Sequence, residues 1–185
     1  LIASDQFRAS IYAFNLVQKH AKRPSGAPDK ALAKPVNKVG VLGAGLMASQ
    51  FALLFLRRLE CPVVITDVSQ ERIDKGLAYI TEELDKLVAK GRLSTDNRNR
   101  YVGNLSGSLD YAAFSDCDWV IEAVFEELEI KQQVFAKIEE HVSEECILAT
   151  NTSSLSVEAI GSKLKHPGRV VGFHFFNPVA VMPLV

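Results

Sequence analysis

An apolar run of strand length, Lys38 to Leu42, opens directly into Gly43-Ala-Gly-Leu-Met-Ala48, a spacing of small residues that few folds can use. Gly43 permits a tight turn, Gly45 leaves bare backbone for an approaching group, and Ala48 lets a helix pack closely on a sheet. The helix carries an apolar face to about Leu59, and a second strand, Pro62 to Thr66, ends at Asp67. A tight turn in some other domain would account for the glycines, but not for a strand on each side and an acid at the end of the second. A helix N-terminus presents unpaired N–H groups and the positive end of its dipole, which suits a pyrophosphate. The order therefore predicts a dinucleotide site with Gly43, Gly45, Leu46, Met47 and Ala48 as its loop, and Asp67 accepting the ribose hydroxyls. A 2′-phosphate would face Asp67 directly, and no arginine follows immediately, so NAD is expected rather than NADP.

At 185 residues the chain allows one core domain plus an appendage. Its formal charge is −1, from 21 basic and 22 acidic residues, so no basic field argues for nucleic acid. An apolar fraction of 48% suits a well-buried α/β core. Cys61, Cys117 and Cys146 stand at no metal-binding spacing, and their apolar surroundings read as reduced thiols of a cytoplasmic protein. No apolar run reaches the roughly 18 residues of a membrane span, and the first residues lack the pattern of a secretory signal. The chain starts without Met and ends at Leu184-Val185 inside an apparent strand or turn, which reads as a fragment.

Before the glycine loop, Phe7, Ile11, Phe14 and Val17 recur at a helical period, with Lys19, Lys22 and Arg23 toward the end. A single amphipathic helix of this kind must lie on another surface. Pro24 to Pro35 is rich in Pro, Ala and Lys and reads as a linker, so the expected division is 1–35, helix and linker, and 36–185, the dinucleotide-binding domain. After Asp67, Ser69 caps a helix of about 20 residues through Ile73, Leu77, Ile80, Leu84 and Val88 to Gly91, long enough to project beyond the sheet. Asn97 to Tyr101 prolongs that excursion. Strands are expected at 102–105, 119–123, 147–150 and 170–173, a helical turn at 110–114, and helices at 126–142 and 157–164, the last capped by Ser156. Leu128, Val134, Phe135 and Ile138 are expected to face the core. Apolar strands alternating with helices argue for a doubly wound, mostly parallel Rossmann-type sheet covered on both faces.

In such a sheet ligands bind beyond the C-terminal ends of the strands. Ser153, in the loop after 147–150, and His174, at the end of 170–173, both emerge on that edge with the glycine loop. Oxidation of a carbinol needs a base for the hydroxyl proton, which histidine supplies near neutrality, and a serine hydroxyl beside it can orient the oxygen. His20, His141 and His166 occupy helical or turn contexts and read as structural or solvated. Glu122, Glu126 and Glu127 close an apolar strand, where an acid can reach a nicotinamide riboside; for Glu127 a solvated first turn of helix is an equal reading, and the same choice applies to Lys131. A Ser-His hydrolase lacks its G-x-S-x-G elbow here, and no paired Cys or His-x-x-x-His supports zinc. A different Rossmann oxidoreductase, of the 2-hydroxyacid or 6-phosphogluconate type, and a non-catalytic NAD-binding module remain as other readings.

Gly43-Ala-Gly-Leu-Met-Ala48, Asp67, Ile121-Glu-Ala-Val-Phe-Glu126, Asn151-Thr-Ser-Ser-Leu155 and Gly172-Phe-His-Phe-Phe-Asn-Pro178 together resemble the NAD-binding domain of 3-hydroxyacyl-CoA dehydrogenases, over roughly Val36 to Val185. The resemblance implies oxidation of L-3-hydroxyacyl-CoA to 3-ketoacyl-CoA. It makes His174 the general base, paired with a glutamate at what would be position 186, and Ser153 the hydroxyl that positions substrate. It puts Ala123, Glu126, Lys131 and Asn151 on the nicotinamide half and Lys75 near the CoA phosphates. The N-terminal helix, its linker and the ending Val181-Met-Pro-Leu-Val185 resemble the multifunctional fatty-acid oxidation proteins of bacteria. That branch implies an enoyl-CoA hydratase domain before this region, a helical C-terminal domain after it and a thiolase subunit as partner. With those parts missing, NAD binding with little or no turnover is expected of this piece.

Overall fold

The structure, a computed structural model, describes residues 4–21, 26 and 28–179. Residues 1–3, 22–23, part of the expected linker (24, 25 and 27) and the terminal segment 180–185 lie outside the described residues. The chain divides into two units, Leu1–Pro35 and Val36–Val185. In the first, helix α1 (Asp5–Ala21) carries exposed Phe7, Ile11, Phe14 and Val17. A 3-10 turn at Lys30–Leu32 follows, where the Asp29 carboxylate accepts a hydrogen bond from the Ala31 N–H at 3.0 Å.

The second unit is built on six strands: β1 (Val39–Leu42), β2 (Val63–Thr66), β3 (Leu105–Gly107), β4 (Trp119–Glu122), β5 (Ile147–Thr150) and β6 (Val170–Gly172). They form one parallel sheet in the order β3-β2-β1-β4-β5-β6, the arrangement of a Rossmann-type doubly wound fold. Both β1 and β2 are buried at every residue, as a strand covered on both faces must be. Helix α2 (Leu46–Arg58) buries Ala48, Phe51, Ala52, Phe55 and Leu56 against one face, and α3 (Gln70–Ala89) buries Ile73, Gly76, Ile80 and Leu84, one stripe of a 3.6-residue period. Helix α5 (Leu128–Glu139) and the short α6 (Val157–Gly161) cover the other face, packing with Phe114, Leu148 and Val120.

Several expected boundaries move. The excursion after α3 is a capped helix, α4 (Thr95–Gly103), with Ser94 accepting from the Asn97 N–H, so the strand expected at 102–105 starts only at Leu105. Helix α5 covers 128–139 rather than 126–142, because residues 123–127 serve as a loop at the sheet edge. Of the four residues expected to face the core from α5, Phe135 and Ile138 are buried while Leu128 and Val134 are half-buried; Lys131 and Gln132 take the remaining buried positions. Helix α6 ends at Gly161, earlier than 164.

Candidate active site

Strand order reverses between β1 and β4, and the loops after these two strands form the crevice where a parallel sheet binds ligands. The turn after β1 is held open by Gly43, at φ +115°, where a Cβ would stand 3.0 Å from the Ala123 carbonyl oxygen. Any L side chain there would be strained and would press on the facing loop. A Cβ on Gly45, by contrast, would meet nothing within 4 Å. That open space lies at the start of α2, whose first turn has no side-chain cap. Uncapped N–H groups beside open space are the donor set that a pyrophosphate needs, so the loop fits the group. Asp67 ties this loop to β2: its Oδ2 accepts from the Ala44 N–H at 2.8 Å and its Oδ1 from the Val68 N–H at 2.7 Å. Gly43, Gly45, Asp67 and Ala123 line a single cavity of about 260 Å³ together with Val68, Arg72, Val124, Phe125, Ile130 and Val134.

Beyond Ala123 a buried charge network takes over. Glu122, fully buried at the end of β4, accepts from Lys131 Nζ with both carboxylate oxygens at 2.8 Å, from the Val124 N–H at 3.2 Å and from the Thr150 hydroxyl. Lys131 is itself 1% exposed and reaches a second carboxylate, Glu126, at 3.2 Å. A lysine this deep needs such partners, because an unpaired buried ammonium costs several kcal/mol. Glu126 Oε1 accepts from Thr152 Oγ1 at 2.6 Å, from the Ser153 N–H at 2.8 Å and from Ser153 Oγ at 3.3 Å. Burial alone would raise the Glu126 pKa, but the bonds from Thr152 and Ser153 and the Lys131 ammonium outweigh it and hold it at about 2. The loop after β4 is thereby riveted to the loop after β5.

Asn151 links that second loop to His174. Its backbone carbonyl lies 3.0 Å from His174 Nδ1, and its side-chain oxygen accepts from the Phe175 N–H at 3.0 Å. A carbonyl only accepts, so the contact fixes the tautomer with the proton on Nδ1 and the lone pair on Nε2. The imidazole also meets the Phe176 ring edge-on, with centroids 5.2 Å apart.

The structure thus gathers the residues singled out in the sequence into two adjoining groups: Gly43, Gly45, Asp67 and Ala123 on the cavity, and Glu126, Lys131, Asn151, Ser153 and His174 on a connected hydrogen-bond network. Leu46 is exposed, Met47 half-buried and Ala48 fully buried at the start of α2, and Lys75 stands exposed on α3, paired with Glu71 at 2.7 Å. Two expectations are corrected. Glu122 does not reach out toward a ligand, since Lys131 and Thr150 consume its carboxylate, and Lys131 belongs to the interior rather than to a solvated first turn. An arginine does stand by Asp67: the first turn of α3 carries Arg72 Nη1 to 3.5 Å from Oδ1, a proximity hidden by the four intervening residues. Thr150 and Thr152 also escaped notice, although two threonines at a strand's C-terminal end are a ready source of hydroxyl donors.

A model of the 3-hydroxyacyl-CoA dehydrogenase NAD-binding domain matches residues 38–185. The chain belongs to this family. NAD is accordingly its cofactor. It is 40% identical over 181 residues, covering 98% of the chain, to the fatty acid oxidation complex subunit alpha of Idiomarina loihiensis, and 36% identical over its full length to the peroxisomal fatty acid beta-oxidation multifunctional protein AIM1 of Arabidopsis thaliana. The chain spans 25% and 26% of those relatives. The crystal structure of (S)-3-hydroxybutyryl-CoA dehydrogenase PaaH1 from Ralstonia eutropha superimposes with a TM-score of 0.76 at 34% identity, over 80% of this chain and 52% of that one. Among the described residues no helix is long and apolar enough to cross a membrane, and no cluster of ligating side chains could hold a metal ion.

Proposed function

We propose that this chain supplies the cofactor site and the proton-abstracting base of an NAD-dependent dehydrogenase that oxidises L-3-hydroxyacyl-CoA to 3-ketoacyl-CoA, within a multifunctional fatty-acid oxidation protein. The observation that carries this reading is the Asn151 carbonyl on His174 Nδ1, which leaves Nε2 free to take the substrate's hydroxyl proton. Bound NAD⁺ supplies the hydride acceptor. As the C3–H bond of the substrate breaks, its O–H proton passes to Nε2, and the imidazolium that forms keeps its Nδ1–H bond to Asn151. Ser153 holds the reacting oxygen by turning its hydroxyl from Glu126, 3.3 Å away, to donate to it, since the substrate's own proton goes to Nε2. Ala123, Glu126 and Asn151 line the nicotinamide half, with buried Lys131 holding Glu126 from behind, Asp67 takes the adenosine ribose, and exposed Lys75 meets the CoA phosphates. Relatives named as a multifunctional protein and as subunit alpha of a complex support further domains and a second subunit; the resemblance makes these an enoyl-CoA hydratase domain, a C-terminal helical domain and a thiolase subunit. The three unpaired buried thiols are in keeping with a reducing, cytoplasmic setting.

The test is His174→Gln in the full-length protein, with acetoacetyl-CoA and NADH as substrates. Turnover is expected to fall by about 10²–10⁴-fold with NADH affinity within about twofold of wild type. Equal loss of NADH binding would assign His174 to the cofactor instead of the proton.

A further inference from the structure

The geometry points to Arg72 as a cofactor-selecting residue that lets this site admit NADPH beside NADH by taking the 2′-phosphate of the adenosine ribose. The inference rests on the placement of that ribose at Asp67, proposed above.

A carboxylate at the end of β2 ordinarily rejects a 2′-phosphate for two reasons: its charge repels the dianion, and its free oxygens are committed to the ribose hydroxyls. Both are weakened here. Each Asp67 oxygen already accepts a backbone N–H, from Ala44 at 2.8 Å and from Val68 at 2.7 Å, and the side chain is only 11% exposed. The carboxylate therefore serves partly as a brace for the glycine loop. Its charge is also opposed. Arg72 Nη1 lies 3.5 Å from Oδ1, within ion-pair range but beyond a good hydrogen bond, and its side chain is 52% exposed. Asp67 and Arg72 line the same cavity. The next charges along α3, Glu71 and Lys75, are paired with each other at 2.7 Å and add no net field.

The adenosine end of the crevice thus carries one negative and one positive group, the positive one loosely held. With NADH, Asp67 faces the 2′-hydroxyl and Arg72 can stay where it is. With NADPH, the guanidinium needs only a rotamer change within the first turn of α3 to leave Asp67 and grip a phosphate, a charge-assisted contact that Arg makes well. Removing Arg72 would then cost NADPH its partner and leave it facing an unopposed carboxylate, while NADH would lose little.

The experiment is a fluorescence titration of this chain with NADH and with NADPH, for wild type, Arg72→Gln and Asp67→Asn, at low and high salt. Wild type is expected to bind both, with NADH preferred. Arg72→Gln is expected to weaken NADPH by about tenfold, to move NADH by less than about threefold, and to reverse the salt dependence that distinguishes NADPH from NADH, since salt then screens a repulsion by Asp67. Asp67→Asn is expected to weaken NADH and to strengthen NADPH. If Arg72→Gln leaves both ligands unchanged, or weakens both by one factor, the assignment of Arg72 is overturned while the ribose placement stands on Asp67→Asn. If NADH is indifferent to Asp67→Asn, the placement itself falls and the inference falls with it.

Discussion

Glu126 shows how one side chain can serve two loops. Thr152, Ser153 and Lys131 all converge on its carboxylate, and the bonds to them outweigh burial to hold its pKa near 2 rather than the ordinary 4.5. A carboxylate whose folded pKa is depressed contributes stability that is fully present above its unfolded pKa and disappears as pH falls through the folded value. The window for Glu126 therefore runs from about 4.5 down to about 2. The side chain is 39% exposed, so solvent screens part of the effect. Urea midpoints of wild type and Glu126→Gln, followed from pH 6 to pH 2, are expected to differ most at the upper end and to converge as the window is crossed. A constant difference across that range would mean that the ionised form is not what the two loops depend on.

At the scale of elements, the loop proposed to hold cofactor is shaped as much by α3 as by its own glycines. Gly76 sits where α3 crosses the turn, and a Cβ there would lie 3.0 Å from Ala44 Cβ, 3.1 Å from the Ala44 carbonyl oxygen and 3.2 Å from Ile65 Cδ1. Ala44 cannot retreat freely, because its N–H is held by Asp67. A branched side chain would force helix and loop apart. Gly76→Val is expected to lower stability by about 1–3 kcal/mol, read from urea unfolding, and to weaken NADH binding several-fold; tight NADH binding at reduced stability would separate the loop from the helix contact. Nothing in the sequence marks Gly76 for this, since a glycine within a helical stripe carries no sign of what faces it. The strand-turn-helix around Gly43 was legible because turn, helix start and acid are local patterns with local causes. The same holds for the caps at Ser69 and Ser156, which accept from the N–H groups of Arg72 and Ala159. What escaped is set by tertiary placement: Lys131 reads as a ligand-facing or solvated residue until the sheet brings Glu122, itself bonded by Thr150, beneath it. The start of β3 shifted for a related reason, as the Ser94 cap extends α4 across residues that look strand-like alone.

Over the whole molecule, every group proposed for the site except Lys75, in the second turn of α3, follows the C-terminal end of a strand, after β1, β2, β4, β5 and β6, or opens the helix that comes next. A parallel sheet brings these ends to one edge whatever lies before it. Both hydrophobic clusters are drawn from Val36–Val185, one between the sheet and α2 and α3, the other between the sheet and α5 and α6. The determinants of folding and of cofactor binding therefore lie on the same side of Pro35. The exposed Phe7, Ile11, Phe14 and Val17 of α1 fit a different task, burial against the hydratase domain proposed for a longer protein. A chain begun at Val36 is accordingly expected to unfold in one cooperative transition within about 3 °C of the 185-residue chain and to bind NADH within about twofold. A drop of more than about 10 °C, or loss of NADH binding, would show that residues 1–35 help to hold the sheet together.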